Sequence, residues 1–134
     1  MKVQRSELPA ILAGHRAAER FFAPCFNDAP ANDELLWVAH VDSGARCLHL
    51  ERYEGARDSV ALPVRSIVAD AARLGSAGVL LAHNHPSGDA TPSEMDCRAT
   101  RALACAGEAM DLTVVDHLIF AGSECRSFRR MGLL

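Results

Sequence analysis

The stretch Val79-Leu80-Leu81-Ala82-His83-Asn84-His85-Pro86-Ser87-Gly88-Asp89-Ala90-Thr91-Pro92-Ser93-Glu94-Met95-Asp96 decides how this chain folds. Its opening apolar run is short and unbroken, which predicts a buried strand. Side chains two apart on a strand share a face, so His83 and His85 point together. After a loop containing Gly88, Thr91-Pro92-Ser93-Glu94 predicts a helix start, with Thr91 as N-cap, Pro92 at the first helical position and Glu94 closing a capping box. Ser93 and Asp96 then lie three apart on one face of the helix's first turns. Two imidazoles from a strand end therefore face a hydroxyl and a carboxylate from a helix start.

Two histidines at a strand end can be ordinary half-exposed polar residues, and Ser93 and Asp96 can merely serve the helix terminus. The combination argues for more. The histidines follow an apolar strand, the chain reverses, and a carboxylate returns at a short fixed distance. Neutral imidazole nitrogens and a carboxylate oxygen suit zinc. Three protein ligands, His83, His85 and Asp96, leave the fourth tetrahedral position for water, as catalytic rather than structural sites do.

His-x-His, seven residues, Ser, two residues, Asp resembles the motif of the JAMM (MPN+, JAB) metallopeptidases, and His83, His85, Ser93 and Asp96 fit it with no insertion. The wider run His83 to Gly88 with Thr91-Pro92-Ser93 resembles the RadC branch. So do Val115-Asp116-His117-Leu118-Ile119 and Ser127-Phe128-Arg129-Arg130-Met131-Gly132-Leu133. The resemblance covers about Glu34 to the C-terminus. The short segment before Glu34 leaves no room for the helix-hairpin-helix region usual in that branch.

The surrounding sequence predicts one domain. At 134 residues the chain is long enough for a single core, and 49% hydrophobic content excludes a disordered or fibrous chain. A net charge of −3 supplies no electrostatic footprint for nucleic acid, with Arg126, Arg129 and Arg130 read as solvated surface arginines. The five cysteines, Cys25, Cys47, Cys97, Cys105 and Cys125, are odd in number, form no Cys-x-x-Cys pair and follow no secretory signal. They read as reduced thiols of a cytoplasmic protein. No stretch approaches the roughly 18–20 apolar residues of a membrane span.

In chain order, Leu8, Ile11, Leu12, His15 and Phe22 recur at helical spacing, with Ser6 as a cap and Pro24 as the stop. This helix and the loop behind it, 1–33, are expected to pack on the main domain, 34–134. Leu35 to Val41 predicts a central strand, turning at Asp42-Ser43-Gly44 into a hairpin partner from Arg46 to Glu51. Gly55 marks a turn and Val60-Ala61-Leu62 a short strand. A helix from Pro63 buries Val64, Ile67, Val68, Ala71 and Leu74 and ends at Gly75. The motif strand, a helix from Pro92 to about Ala106, and a last strand from Leu112 to Phe120 complete the pattern. Helices falling between strands predict an α/β layered domain, a mixed β-sheet covered by helices. The resemblance implies the JAB/MPN fold, similar in its layers to cytidine deaminase.

Hydrolysis at such a site needs a proton acceptor. By position the candidates are Glu34, Glu51, Glu54 and Glu94. The resemblance implies Glu34, because in that family the essential glutamate precedes an apolar strand. It also implies a Zn²⁺-dependent peptidase or isopeptidase acting through a metal-activated water. Glu34 would be general base then acid, and Ser93 donor to the developing oxyanion. His117, beside Asp116, reads as a structural pair with it. Two rivals share parts of the pattern. A non-haem iron oxygenase also uses two histidines and a carboxylate but sits in β-barrels, and a non-catalytic JAB module would bind protein or nucleic acid. The partner expected is a peptide or protein with a scissile amide, with no membrane role.

Overall fold

The computed structural model describes residues 10–54 and 62–134. Five strands, β1 (Leu35–Val41), β2 (Cys47–Glu54), β3 (Gly78–Asn84), β4 (Thr113–Ala121) and β5 (Glu124–Ser127), form one sheet in the order β2-β1-β3-β4-β5. The β3/β4 pair is parallel and the other pairs antiparallel, so the sheet is mixed. Helices α1 (His15–Phe22), α2 (Val64–Leu74) and α3 (Glu94–Glu108) cover it.

The central strands β1 and β3 are mostly apolar because both their faces are covered, with His40, His83 and Asn84 as the exceptions. On one face Trp37, Ala39, Leu80, Ala82 and Leu118 pack against Ala18 and Phe22 of α1 and against Cys25. On the other, Leu36, Val38, Val79 and Leu81 pack against Ile67 and Ala71 of α2 and Leu103 of α3. The α/β layering read from the sequence is therefore present as three layers, and α2 ends at Gly75 in the left-handed conformation, as expected.

Three expectations differ from the structure. The first helix begins at His15 rather than before Ile11. Ile11 instead bridges to Arg46, and Leu12 N–H donates to the Ala45 carbonyl at 2.8 Å. Gly14, at φ +85°, turns this extended segment into the helix, a conformation disfavoured for any residue with a Cβ. The helix stops at Phe22, and Pro24 lies in a short 3-10 turn, Ala23–Phe26. Second, β5 was not expected. Third, the N-cap of α3 lies two residues later than Thr91, as described below. The expected Ser6 cap and Leu8, the turn at Gly55, and Val60 and Ala61 of the short strand lie outside the described residues, and Leu62 is not in a strand.

Among the described residues no helix is long and apolar enough to cross a membrane, and no disulfide joins any of the five cysteines.

Candidate metal centre

β3 lies at the middle of the sheet, where His83 pairs with Leu36 of β1 on one side and Ile119 of β4 on the other. His83 is buried on the α3 face. His85 follows the end of the strand, and its N–H still donates to the Phe120 carbonyl, 2.8 Å, so it keeps the strand's direction. The loop beyond is tied to itself: Asp89 N–H donates to Ser87 Oγ (3.2 Å) and Thr91 N–H to Asp89 Oδ1 (3.0 Å).

The N-cap of α3 is Ser93, not Thr91, and the capping box is closed by Asp96, not Glu94. Ser93 Oγ accepts from Asp96 N–H at 2.9 Å, while Asp96 Oδ2 accepts from Ser93 N–H at 2.8 Å. Thr91 is held in the Asp89 turn, and Glu94 pairs with Arg98 one helical turn on, 2.7 Å away. The reciprocal cap also locks the Asp96 carboxylate in one orientation.

That orientation meets the histidines. His83 Nε2 and His85 Nε2 are 2.9 Å apart, His85 Nε2 and Asp96 Oδ2 3.2 Å, and His83 Nε2 and Asp96 Oδ1 3.6 Å. Bonds of 2.0–2.1 Å to a tetrahedral ion require donor atoms about 3.3–3.4 Å apart. The separations, taken to Oδ1 from His83 and to Oδ2 from His85, scatter about that value, so two imidazoles and one carboxylate converge closely enough to hold a metal ion. Among the described residues they are the one His/Cys/Asp/Glu group able to hold a metal ion.

The tautomers agree. His85 Nδ1 lies 2.8 Å from the Asp89 carbonyl, which can only accept, so Nδ1 carries a proton and Nε2 is the nitrogen left to take either a second proton, shared with Asp96, or a metal ion. The His83 ring is fixed from further off. Thr100 Oγ1 donates to the Asp96 carbonyl (2.7 Å) and so accepts from His117 Nδ1–H (2.7 Å). His117 Nε2 is then an acceptor for His83 Nδ1–H at 2.6 Å, leaving His83 Nε2 bare toward the cluster. Hydrogen-bonding the far nitrogen of each ligand is how proteins orient metal-binding histidines.

His117 is thus not paired with Asp116 through its ring. The Asp116 carboxylate instead accepts from the His117 backbone N–H, Ser127 Oγ and Arg129 N–H, fastening the segment after β5 to β4. Burial, reinforced by the neighbouring His83, pushes His117 well below the usual histidine range, which keeps it neutral and able to accept. Burial alone would raise Asp96, but its bonds to His83 and His85 outweigh this and hold the carboxyl far below the ordinary range. His85 is raised, chiefly by its bond to Asp96 against the cost of burial, with a contribution from the negative charge of Glu34.

Glu34 directly precedes β1, one residue before Leu35 and two before the Leu36 that pairs with His83. Its charge reaches the cluster at His85. Ser93 is exposed at the cluster's rim, and because its oxygen accepts from Asp96 N–H its own hydrogen is left to donate. Behind the three donor residues, Leu36, Leu62, Ala99 and His117 leave a cleft of only about 10 Å³, about the room of one water, so the inner side is nearly closed to solvent. Wider clefts, about 500 Å³ beside Asp111 and Arg129 and about 250 Å³ beside His15 and Arg130, contain none of the cluster's residues. His15 bonds to Arg130 there, far from the role of a ligand.

Fold and cluster together define a mixed-sheet α/β domain with a divalent-metal-type donor set where a central strand meets a helix start. The family model described as "RadC-like JAB domain" matches residues 13–133, and the chain belongs to that family. It is 40% identical over 81 residues to a UPF0758 protein of Chloroflexus aggregans and 42% identical over 81 residues to a UPF0758 protein of Chloroflexus aurantiacus. Each match takes in 60% of this chain, which spans only 35% of the length of either relative.

Proposed function

We propose that this chain is a zinc-dependent amide hydrolase, a peptidase or isopeptidase, with His83, His85 and Asp96 holding the metal, Glu34 moving the proton and Ser93 binding the oxyanion. The observation that carries the reading is the agreement of two independent hydrogen-bond systems. The Asp89 carbonyl on one side and the His117–Thr100 pair on the other occupy both Nδ1 atoms and so turn both Nε2 atoms inward beside a carboxylate locked by its own cap. A metal site needs both Nε2 atoms on one side of the cluster with the far nitrogens engaged, and that is the arrangement present. Membership of a JAB family, which includes metalloproteases, supports it further.

Bound to these donors, zinc would supply Lewis acidity that brings the ionisation of water near neutral pH, about 7 instead of 15.7. The chain's own groups supply the rest. Glu34 accepts a proton from the attacking water and returns one to the leaving nitrogen, so that the C–N bond breaks to a neutral amine and a carboxylic acid. Ser93 O–H donates to the carbonyl oxygen as negative charge gathers there. The two peptide planes flanking Glu34 are bonded to the strand that carries the histidines, which supports the role given to that carboxylate.

Glu34→Gln should retain stoichiometric zinc while slowing hydrolysis by about 10² to 10⁴. The test compares protein N-termini and isopeptide remnants in a proteome treated with zinc-loaded protein, with Glu34→Gln, and with chelator-stripped protein. Products generated equally by all three, or a purified protein that takes up no divalent metal, would refute the assignment.

A further inference from the structure

We propose that Asn84 is the positioning residue for Glu34, its side-chain amide aligning that carboxylate with the metal cluster; this rests on the role given to Glu34 above. Asn84 stands between the two histidines and is the last residue of β3. The antiparallel β1/β3 ladder ends at the Leu36–His83 pair. One residue further on, the Asn84 side chain takes over the pairing. Its Oδ1 accepts from Leu35 N–H at 2.7 Å, and its Nδ2 donates to the Asp33 carbonyl at 3.0 Å.

A carboxamide carries the same donor and acceptor as a peptide unit, so it can add one rung to a ladder that the backbone has left. The position of that rung is what matters. Asp33 C=O belongs to the peptide unit before the Glu34 Cα, and Leu35 N–H to the one after it. Both planes that aim the Glu34 side chain are therefore bonded to a single side chain, and that side chain is one residue from each of His83 and His85. Aspartate there could not donate to the Asp33 carbonyl, serine could not span both groups, and glutamine would set them a methylene further away. The residue between the two histidines thus couples the proton-transfer group to the metal ligands.

The test is a double-mutant cycle on the zinc-loaded chain with Asn84→Ala, Glu34→Gln and both together. Asn84→Ala should keep zinc affinity within about threefold and reduce hydrolysis about 10- to 100-fold, since a 1 Å misplacement can cost about 10². In the Glu34→Gln background the same substitution should add less than about threefold, because a residue acting only through Glu34 has nothing left to position. Equal losses in both backgrounds, or lost zinc, would overturn the proposal. Asn84→Asp, which keeps the acceptor for Leu35 N–H and loses the donor to Asp33, should fall between wild type and Asn84→Ala. If it matches the wild type, the proposal fails. A readout independent of turnover uses cobalt in place of zinc. Paramagnetic relaxation of the Glu34 side-chain carbons should weaken in Asn84→Ala while that of the His83 and His85 rings is unchanged. Unaltered Glu34 relaxation would sink the positioning role. A wild-type chain that hydrolyses no amide yet shows the relaxation change would sink the hydrolase reading and leave the clamp standing.

Discussion

Replacing His117 with phenylalanine should weaken zinc binding without unfolding the protein. His117 is enclosed and stacked on Phe128, with ring centroids 4.5 Å apart and planes 17° apart, so a phenylalanine ring keeps the shape and the stack. What disappears is the acceptor for His83 Nδ1–H, a bond of 2.6 Å in a buried site. A buried donor left without a partner costs about 1–3 kcal/mol. His83 can escape that cost by moving its proton to Nε2, but this blocks the nitrogen that faces Asp96 and His85. Metal binding must then reverse the shift, so the loss reappears in the zinc affinity. At about 1.4 kcal/mol per factor of ten this is roughly a 5- to 150-fold weaker Kd, in line with the 10- to 100-fold typical of such outer partners. Competition against a chromophoric chelator at pH 7.5 measures the affinity, and imidazole ¹⁵N shifts in the metal-free protein report the His83 tautomer. A folded His117→Phe with zinc affinity within twofold of wild type, or with the His83 proton still on Nδ1, would refute the reasoning.

Other expectations follow from the same contacts. Asp96→Asn keeps an oxygen to accept from Ser93 N–H and should lose zinc and the charge facing His83 and His85 but keep the cap, whereas Asp96→Ala should lose a further amount, about 1 kcal/mol of helix capping; equal melting temperatures for the two would contradict the dual role. His40 is buried, bonded among the described residues through Nδ1 to Ser76 alone, and pushed below its usual 6.5 first by burial and then by the nearby His49. The unfolded chain therefore takes up that proton first, so stability present above about pH 6.5 is lost as pH falls toward the lowered folded value. His117 adds a loss of the same sign in either protein, so a urea series from pH 8 to 5 on wild type and His40→Leu isolates His40; identical slopes would dismiss its contribution. At Gly107 an added Cβ would lie 2.5 Å from the Leu112 carbonyl oxygen. Gly107→Ala should cost about 1–3 kcal/mol by overpacking despite its helix propensity, and a denaturation midpoint at or above wild type would show that the turn after α3 yields freely.

Much of this architecture is readable from residue pattern because the pattern and the burial have the same cause. The mostly apolar runs within Leu35–Val41 and Gly78–Asn84 belong to strands covered on both faces, and Ile67 and Ala71 lie on the one face of α2 that meets the sheet. The failures also have physical causes. Ile11 and Leu12 have helical spacing with Phe22, but so few apolar residues fit an extended segment equally well, and Gly14 takes the left-handed turn that separates them from the helix. β5 is four residues with two charges at the edge of the sheet, too short and too polar to stand out, as protected edge strands are. Thr91-Pro92-Ser93-Glu94 offers two caps offset by two residues. Thr91 N–H is claimed by Asp89, and only Ser93 finds a reciprocal partner three residues on, so the later start wins.

The half of the site that pattern could not reach depends on one irregularity of register. Along β3 and β4, Val79 pairs with Val114, but the next pair is Leu80 with Asp116, skipping Val115. Without that bulge Leu81 would oppose Asp116, and His117 would fall opposite Ala82, on the face that packs against α1. With it, His117 opposes Leu81 and shares the face of His83, within reach of Thr100. A one-residue slip exchanges the two faces of a strand, and a bulge re-aims the side chains beyond it. Sequence spacing within a strand predicts which of its own residues share a face, as it did for His83 and His85. It carries no information about the offset between two strands joined through a helix. The candidate metal-binding residues are legible because they sit on one local motif, whereas the group that sets the His83 tautomer arrives from a strand 34 residues away whose register is decided by packing.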